Sequence, residues 1–507
     1  MYDSAERCDA PKCDPETRVA VLDDLYSWIE HGDVENPRKM KWITGPAGTG
    51  KTAVMGSLTQ RCKSNGFPAA TFFFSSMGSI GRRRKTACVT TIAYQLVQDH
   101  PDLKDAVAAA VEADPIVFKK NLHVQMETLV LAPLRAVASG LGAVLRGVIV
   151  VDGLDECETD QNPDDTRRKA QDQLEILQVL QTASLDPSFP FRILVASRPE
   201  RVFRDFFDPV QNPACFDQRL DLHQHYNADS DIALFLEAQF SRIRRCYNLP
   251  LSWPPPGTIE TLVEKASGQF IYAATVIRFL DKGHRSPKAS LDAILKMEAK
   301  VTVNPLDQLD ALYTHVLESS PDPPLSVLWI HSIQSLTSGL RSDAPNLKLL
   351  LQTDPEDSEA EHLLGNLHSL ILIPPPSQEA RTLYHFYHKS LFDFLGDPGR
   401  CGKLFVKNSE IQGFIWNGFV RACTRGCDNK FSYPLVSLNF LASLPYYVFN
   451  GYVGSVFLNP DAVPTPAGAD WWASLAVALR WNPSLWQIFS NVHISVRAAL
   501  NLFRTLN

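Results

Sequence analysis

The sequence predicts an α/β fold in which a three-layer domain with a parallel sheet is followed by a helical domain and a winged-helix-like domain. Three observations lead to this fold class. Over residues 37–225, short apolar segments of strand length alternate with helical patterns, as in a parallel sheet covered by helices on both faces. Only helical patterns remain over 226–320. Over 321–406, helices are followed by two short apolar runs.

The elements of the three-layer domain are predicted from the spacing of apolar residues. Strands are expected at 41–44, 69–75, 147–151 and 191–197, with a weaker candidate at 219–222. Helices are expected at 17–30, 53–63, 86–98, 102–113 and 125–139. The first helix is amphipathic, and Asp14 and Pro15 are predicted to cap its start.

A glycine-rich segment joins the first strand to the next helix and reads Gly45-Pro46-Ala47-Gly48-Thr49-Gly50-Lys51-Thr52. Glycines let the backbone curl so that successive N–H groups point into an anion-sized hollow, and the helix adds its positive end. Lys51 supplies a charge for the β- and γ-phosphates of a nucleotide, and the Thr52 hydroxyl is a ligand for Mg²⁺. The segment predicts a phosphate-binding loop, the alternative being a glycine-rich turn with a solvated lysine.

Polar residues that follow two later strands complete the candidate site. Asp152 ends a buried strand and is predicted to hold Mg²⁺ through its water shell; without a phosphate loop it would indicate only a turn. Asp155 and Glu156 form an acidic pair that can polarise an attacking water. Arg198 would lie beside the γ-phosphate if its strand neighbours the first, and would otherwise be a surface arginine.

The charge balance decides which partners are expected. The net charge is −7, so nucleic acid is not expected as a partner, and the basic cluster at 82–85 is interpreted as a solvated face. ATP or ADP is expected rather than a guanine nucleotide, because no Asn-Lys-x-Asp motif occurs. Ten scattered cysteines and the lack of a secretory pattern favour a cytoplasmic location.

Beyond the α/β domain, helices are predicted at 229–242, 259–267, 270–280, 290–297 and 307–319. Ile232, Leu234, Phe235 and Phe240 are expected on the core-facing side of the first of these. The winged-helix-like domain has predicted helices at 325–336 and 358–368 and short strands at 370–373 and 383–387. The tail, 407–507, is unassigned and mostly helical. Its uncharged stretch at 431–460 is interrupted by prolines and glycine, so a membrane-spanning helix is disfavoured, and a partner that covers its aromatics is the alternative.

With these motifs in place, the chain resembles a NACHT-domain P-loop NTPase of the STAND class, in particular the fungal relatives of NOD-like receptors. The segment Asp152-Gly153-Leu154-Asp155-Glu156 is similar to the family's second nucleotide motif, and Ser197-Arg198-Pro199 is similar to its sensor arginine. Further similar segments lie at 2–13, 268–274, 309–313 and 386–395. The resemblance covers about residues 1–406, with 1–36 as the segment and amphipathic helix that precede the NACHT domain.

The resemblance also implies a role for the winged-helix-like domain. It implies that His388 contacts the β-phosphate of bound ADP; the alternative is a core histidine packed among Phe386, Phe392 and Phe394. It further implies signalling in innate immunity and self-association with other protein chains on activation. Neither an effector domain before 1–36 nor a repeat array after 406 is detected, so a shortened receptor is expected.

Three functions stay open at this point. In the leading hypothesis, ADP held by the phosphate loop, Arg198 and His388 locks the later domains onto the α/β domain, and exchange for ATP releases them, with slow hydrolysis. The second is a steadily cycling ATPase or phosphotransferase whose later domains bind a substrate. The third is a scaffold that binds nucleotide but hydrolyses little. Phosphate release measured beside nucleotide retention separates the three.

Overall fold

The computed structural model describes most of the first 425 residues. The described positions are 2, 4, 7, 10–32, 38–76, 78–141, 145–159, 166–208, 210, 212, 219–223, 226–281, 286–297, 306–340, 343–353, 358–374, 379 and 383–425. The uncharged stretch at 431–460 and the rest of the predicted tail beyond 425 lie outside them. The chain forms two compact units, Met1–Leu309 and Asp310–Asn507. The domain boundaries predicted at 36/37, 225/226, 320/321 and 406/407 stay predictions.

A five-stranded parallel sheet forms the centre of the first unit, with strand order β2-β3-β4-β1-β5. The strands are β1 (Met40–Thr44), β2 (Ala69–Phe73), β3 (Val148–Asp152), β4 (Arg192–Ser197) and β5 (Arg219–Asp221). This confirms the predicted α/β fold class. Because β4 lies between β1 and β3, the residues after all three strands meet at one edge of the sheet, where parallel α/β folds bind ligands.

Helices cover both faces of this sheet and form the rest of the first unit. Those up to β5 are α1 (Val19–His31), α2 (Lys51–Ser64), α3 (Ile80–Arg83), α4 (Cys88–Asp99), α5 (Lys104–Ala113), α6 (Leu122–Met126), α7 (Ala132–Leu141), α8 (Thr166–Leu185) and α9 (Arg201–Phe206). The helices after β5, here called the helical module, are α10 (Ala228–Cys246), α11 (Thr258–Ala266), α12 (Phe270–Leu280) and α13 (Pro287–Leu295).

Alternate residues of each strand enter two separate hydrophobic cores. Ile149 and Val151 of β3 pack in the core that contains α4 and α8, while Val148 and Val150 pack in the core that contains α1 and α2. Strands buried on both faces need apolar residues at every position, which is why they stand out in the sequence as continuous apolar runs.

Three local expectations are wrong. The first helix begins at Val19, and the position before it is Arg18 in a left-handed conformation with φ 58°, so Asp14 and Pro15 do not cap it. The Asp14 carboxylate instead accepts a hydrogen bond from Gln239 Nε2 at 3.1 Å. In α10, Leu234 is 41% exposed, and Leu236 is buried in its place. The sequence prediction also missed α8, although its buried residues recur at helical spacing.

The second unit contains helices and a short antiparallel pair of strands. Its elements, counting the helix that spans the boundary, are α14 (Asp307–Glu318), α15 (Pro323–Leu340), α16 (Ala344–Leu351), α17 (Glu359–Leu364), β6 (Ile371–Leu372), β7 (His385–Phe386), α18 (Ser390–Leu395), α19 (Pro398–Cys401) and α20 (Asn408–Arg425). Ile371 pairs with Phe386, so the two strands expected here are present. The winged-helix-like arrangement stays a prediction.

Candidate nucleotide site

The glycine-rich segment forms a closed loop between β1 and α2. Gly48 and Gly50 have φ angles of 81° and 89°, which side chains other than glycine rarely adopt. Lys51 begins α2, and its ammonium donates to the carbonyl oxygens of Gly45 at 2.7 Å and Pro46 at 2.9 Å. The loop therefore wraps around the lysine charge, and phosphate binding by its amides stays a prediction.

Asp152 meets this loop from the end of β3. Its side chain is 2% exposed and hydrogen-bonded by the side chain of Thr52, while its Oδ1 has no partner among the described residues. Burial raises the pKa of Asp152 to about 6, and the neighbouring Arg7 and Lys51 charges oppose the rise. A buried carboxylate oxygen left without a donor fits a cation as its missing partner.

The residues present fit Mg²⁺ in particular. A carboxylate and a hydroxyl are the hard oxygen ligands this ion prefers, and Mg²⁺ is usually held by one or two protein ligands together with phosphate oxygens and water. Over the part of the chain that the structure describes, no cluster of three or more His, Cys, Asp or Glu side chains offers a metal a complete protein cage. Thr52 and Asp152 offer two oxygen ligands of the kind that Mg²⁺ takes.

The acidic pair after β3 is tied to two different partners. Asp155 is 2% exposed; its Oδ1 accepts the backbone N–H of Arg198 at 3.1 Å, and its Oδ2 lies 3.3 Å from Arg198 Nε. Glu156 Oε2 accepts the backbone N–H of Ser76 at 3.0 Å and its hydroxyl at 3.2 Å. The Asp155 carbonyl accepts from Gln173 Nε2 of α8 at 3.2 Å. Both carboxylates are thus held by protein donors.

The site collects charges of both signs at the edge of the sheet. The Lys51 ammonium is influenced by the carboxylates of Asp152, Asp155 and Glu156 and by the Arg198 guanidinium. Burial is the largest influence and lowers the pKa of Lys51 to about 8, so the ammonium form still prevails at neutral pH. The three carboxylates are thus accompanied by cations where the phosphate loop meets the edge of the sheet.

The condition set for Arg198 is met, because β4 neighbours β1 and the register pairs Thr44 with Ser197. Its place beside a γ-phosphate stays a prediction. The indole N–H of Trp42 on β1 donates to the Ser197 hydroxyl at 2.8 Å, which fixes the end of β4. The surface-arginine alternative is wrong, since its guanidinium lies beside buried Asp155.

The N-terminal segment adds a cation that the sequence analysis missed. The Arg7 guanidinium lies 3.4 Å over the Phe73 ring, and its charge interacts with that of Asp152. Burial lowers the pKa of Arg7 to about 10, which leaves it protonated at neutral pH. Arg7 lies in the segment 2–13 that resembles the family, but the sequence alone gives it no role in the site.

The basic cluster at 82–85 is not a solvated face. Arg83 pairs with Glu158 at 3.2 Å, and Lys85 pairs with Asp172 at 2.6 Å and Glu175 at 2.5 Å. The Arg83 carbonyl also accepts the Glu158 N–H at 2.7 Å, so the segment after β2 is joined to the segment after β3. The carboxylates that neutralise the cluster come from distant positions, which is why local sequence could not reveal them.

The helical module contacts the phosphate loop directly. The N–H of Ile271, in the first turn of α12, donates to the Gly48 carbonyl at 3.3 Å. A Cβ added at Gly48 would lie 2.2 Å from Ile271 Cγ2, so only glycine fits beneath this side chain. The position after β1 is therefore shaped by a helix more than 200 residues further along the chain.

His388 belongs to the second unit, and its contact with a nucleotide stays a prediction. Its Nδ1 accepts the Ser390 N–H at 3.0 Å and lies 2.6 Å from the Ser390 hydroxyl, which is 2.8 Å from the hydroxyl of Tyr313. Because a backbone N–H can only donate, Nδ1 of the neutral ring is the acceptor and Nε2 carries the proton. Phe386 and Phe392 pack on each other with ring centres 4.8 Å apart, and His388 is partly exposed.

The family comparison agrees with the geometry of the first unit. Residues 21–198 match the family model described as nephrocystin 3, N-terminal. This match, together with the loop and the acidic segment after β3, shows a P-loop NTPase region of the NACHT type. No curated protein matches the chain in sequence. Among the described helices, none is both long and apolar enough to cross a lipid bilayer.

Solved structures with some likeness include ORC and Cdc6 proteins. The ORC2 protein of Aeropyrum pernix, in ADPNP-ADP complexes, is 14% identical with a TM-score of 0.32, over 80% of this chain and 94% of that one. Cdc6p from Pyrobaculum aerophilum is 14% identical with a TM-score of 0.32, over 80% and 96%. Drosophila ORC bound to DNA is 14% identical with a TM-score of 0.25, over 68% and 79%. At these TM-scores the likeness identifies neither a ligand nor a partner for this chain.

Proposed function

We propose that this chain, which contains a NACHT-type P-loop NTPase region, is a nucleotide-dependent signalling switch of the NOD-like receptor type. It binds ATP or ADP with Mg²⁺ at the loop of residues 45–52 and hydrolyses ATP slowly. The observation that carries the proposal is the buried Asp152 carboxylate, with one oxygen bonded by Thr52 and the other without a donor among the described residues, beside the loop closed around Lys51.

Each residue of the site has a role in this proposal. Lys51 and Arg198 attract and orient the phosphate chain, and Thr52 and Asp152 hold the metal. A bound Mg²⁺ bridges phosphate oxygens and offsets the charge that develops during transfer. Glu156 orients the attacking water, and Asp155 holds Arg198 in place.

The same contacts explain why hydrolysis should be slow. Glu156 accepts two hydrogen bonds from Ser76, and Asp155 is paired with Arg198. Carboxylate oxygens that already accept hydrogen bonds from the protein have fewer lone pairs left to orient an attacking water. A site that binds phosphate well and orients water poorly retains its nucleotide, which suits a switch better than a steadily cycling ATPase.

The proposed cycle converts nucleotide identity into a change of conformation. ADP, contacted through its β-phosphate by His388, favours a resting state, and exchange for ATP favours self-association with other copies of the chain in the cytoplasm. A ligand shifts such an equilibrium only by its different affinity for the two states. A role in innate immunity follows from the resemblance to NOD-like receptors and is part of the proposal.

Native mass spectrometry of the purified protein tests binding first. We expect bound ADP or ATP in the wild type and its loss in Lys51→Ala, because removing a charged hydrogen-bond donor to phosphate weakens binding by about tenfold to a hundredfold. Lys63→Ala, at the exposed far end of the same helix, is the matched control and should keep the nucleotide. Wild-type protein that binds neither nucleotide would refute the proposal.

Turnover and assembly then separate the switch from its rivals. We expect phosphate release to be slower than nucleotide exchange, and sizing in ATP to give larger assemblies than sizing in ADP. His388→Ala should loosen ADP more than ATP, with His362→Ala, a histidine of α17 in the same unit, as the control. Rapid multiple turnover without a partner would favour the cycling ATPase. Retained nucleotide with no change of assembly would favour the scaffold.

A further inference from the structure

Arg18 joins three parts of the first unit that are far apart in sequence. Its side chain is 3% exposed, and its Nη2 donates to the Thr49 carbonyl of the phosphate loop at 3.0 Å. Its backbone N–H donates to Asp231 Oδ1 at 3.1 Å, and its Nε lies 3.8 Å from Asp231 Oδ2. Its guanidinium lies 4.9 Å from the ring centre of Phe270. Asp231 and Phe270 belong to the first turns of α10 and α12 in the helical module.

The backbone of Arg18 indicates that its position is imposed by these contacts. Its φ angle is 58°, in the left-handed region that costs a side chain conformational energy. Such a conformation persists only where the surroundings over-determine it, and it is enriched at functional sites. The hydrogen bond from its backbone N–H to Asp231 and the buried bond to Thr49 are the contacts that do so here.

The bonds to Thr49 and Gly48 also fix the direction of the loop amides. In a planar trans peptide, the carbonyl of one residue and the N–H of the next point in opposite directions. Arg18 holds the Thr49 carbonyl, so the Gly50 N–H points away from Arg18. Ile271 holds the Gly48 carbonyl, so the Thr49 N–H points away from Ile271. Two consecutive N–H groups are thus aimed by groups outside the loop.

We propose that Arg18 is a positioning residue that aims the phosphate-binding amides of the loop and couples them to the helical module through Asp231. This inference rests on the proposed function, because it requires a nucleotide phosphate at the loop. By linkage, a nucleotide that binds better when Arg18 holds the loop amides also stabilises the contact between Arg18 and the helical module. Loss of that contact in turn weakens nucleotide binding.

Binding of ADP with Mg²⁺ to the full chain, measured by calorimetry, tests the positioning role. Arg18→Gln should weaken ADP by about tenfold or more, because a buried charge-assisted hydrogen bond to the loop is lost. Asp231→Asn should weaken it less, and the double variant should bind no worse than Arg18→Gln, because Asp231 acts only through Arg18. Arg242→Gln and Asp281→Asn remove another Arg–Asp pair, 3.0 Å apart, that joins α10 to the end of α12, and should leave affinity unchanged.

Hydrogen exchange tests the coupling with a readout that a merely structural role would not move. In the wild type, ADP should slow amide exchange in both the loop and α10. In Arg18→Gln at saturating ADP, the loop should still be protected while the added protection of α10 is lost. Protection of α10 equal to that of the wild type would overturn the coupling, and unchanged ADP affinity would overturn the positioning role.

The outcomes stay separable from those of the proposed function. If Lys51→Ala abolishes binding and Arg18→Gln does not alter it, the inference alone is wrong; if the wild type binds no nucleotide, the proposed function fails first. If Arg18→Gln does not fold, the ADP affinities of Arg18→Lys and Asp231→Asn test the inference instead. A lysine keeps the charge but lacks the planar fork that reaches both Thr49 and Asp231, so it should also weaken ADP. Unchanged affinity in both variants would overturn the inference.

Discussion

Replacing Gly48 by alanine measures how closely the helical module is packed on the phosphate loop. The new methyl group would lie 2.2 Å from Ile271 Cγ2 and 3.0 Å from Ile271 Cβ, well inside contact distance. Two costs follow. The φ angle of 81° is unfavourable for alanine by about 1–2 kcal/mol. Forcing a methyl group into a packed region adds about 1–3 kcal/mol. We expect Gly48→Ala to destabilise the first unit by about 2–5 kcal/mol in total.

Gly50→Ala separates the two costs. Gly50 has a similar φ angle of 89°, but a Cβ built there meets nothing within 4 Å. Gly50 also occupies the position before α2, where alanine is a poor cap. The control variant therefore includes the cost of the φ angle and a cost of capping, and it lacks only the clash with Ile271. The difference between the two variants is therefore a lower limit on the packing cost. The measurement is exchange protection of β1 and β3 amides without nucleotide, which reports opening of the unit.

A second variant checks that Ile271 is the source of the clash. Ile271→Ala alone should cost about 2–5 kcal/mol through the cavity that it leaves. Combined with Gly48→Ala, it should cost clearly less than the sum, because the new methyl group then has room. Full additivity of the Gly48 and Ile271 changes would refute the packing argument.

Two further predictions concern pH. Burial raises the pKa of Asp152 to about 6 from 3.8, so its ionised form costs the nucleotide-free fold about 3 kcal/mol above pH 6. The free energy of unfolding measured without metal should therefore rise as the pH falls from 6 towards 4, and Mg²⁺-dependent nucleotide binding should weaken over the same range. Asp152→Asn should abolish both trends. A wild-type protein whose stability and binding do not change over this range would contradict the prediction. In the second unit, burial lowers the pKa of His331 to about 4 from 6.5, so that unit should lose stability as the pH falls from 6.5 towards 4, as monitored by exchange in α15. His331→Gln should flatten this loss, and a wild-type unit equally stable at both pH values would show that the histidine is not buried in its neutral form.

Much of the candidate site was predictable because its chemistry is local in sequence. The loop of residues 45–52 carries its own glycines and lysine, and Asp152 follows an apolar run that reads as a buried strand. Arg198 could be placed only conditionally, because strand order decides whether its strand neighbours β1. His388 could be named only from resemblance, and its contact with nucleotide stays a prediction.

The residues that the sequence did not indicate share one physical property: each acts through a partner brought near by folding. Ser76 bonds Glu156 from 80 positions away, and Gln173 bonds the Asp155 backbone from a helix that was not predicted. Arg18 reaches Asp231 across 213 positions. Single polar residues of this kind form no motif, because the same residue types also occur on solvent-exposed surfaces.

The sequence by itself determined the α/β class, the phosphate loop and the carboxylates after β3, because backbone curvature, strand burial and phosphate chemistry each demand particular residue types at fixed spacing. Only the tertiary structure decided which charges meet. It placed Arg198 against Asp155, Ser76 against Glu156, and Arg18 between the loop and the helical module. The physical reason is that a buried polar group must find a partner in space, and chain order does not specify which one it finds.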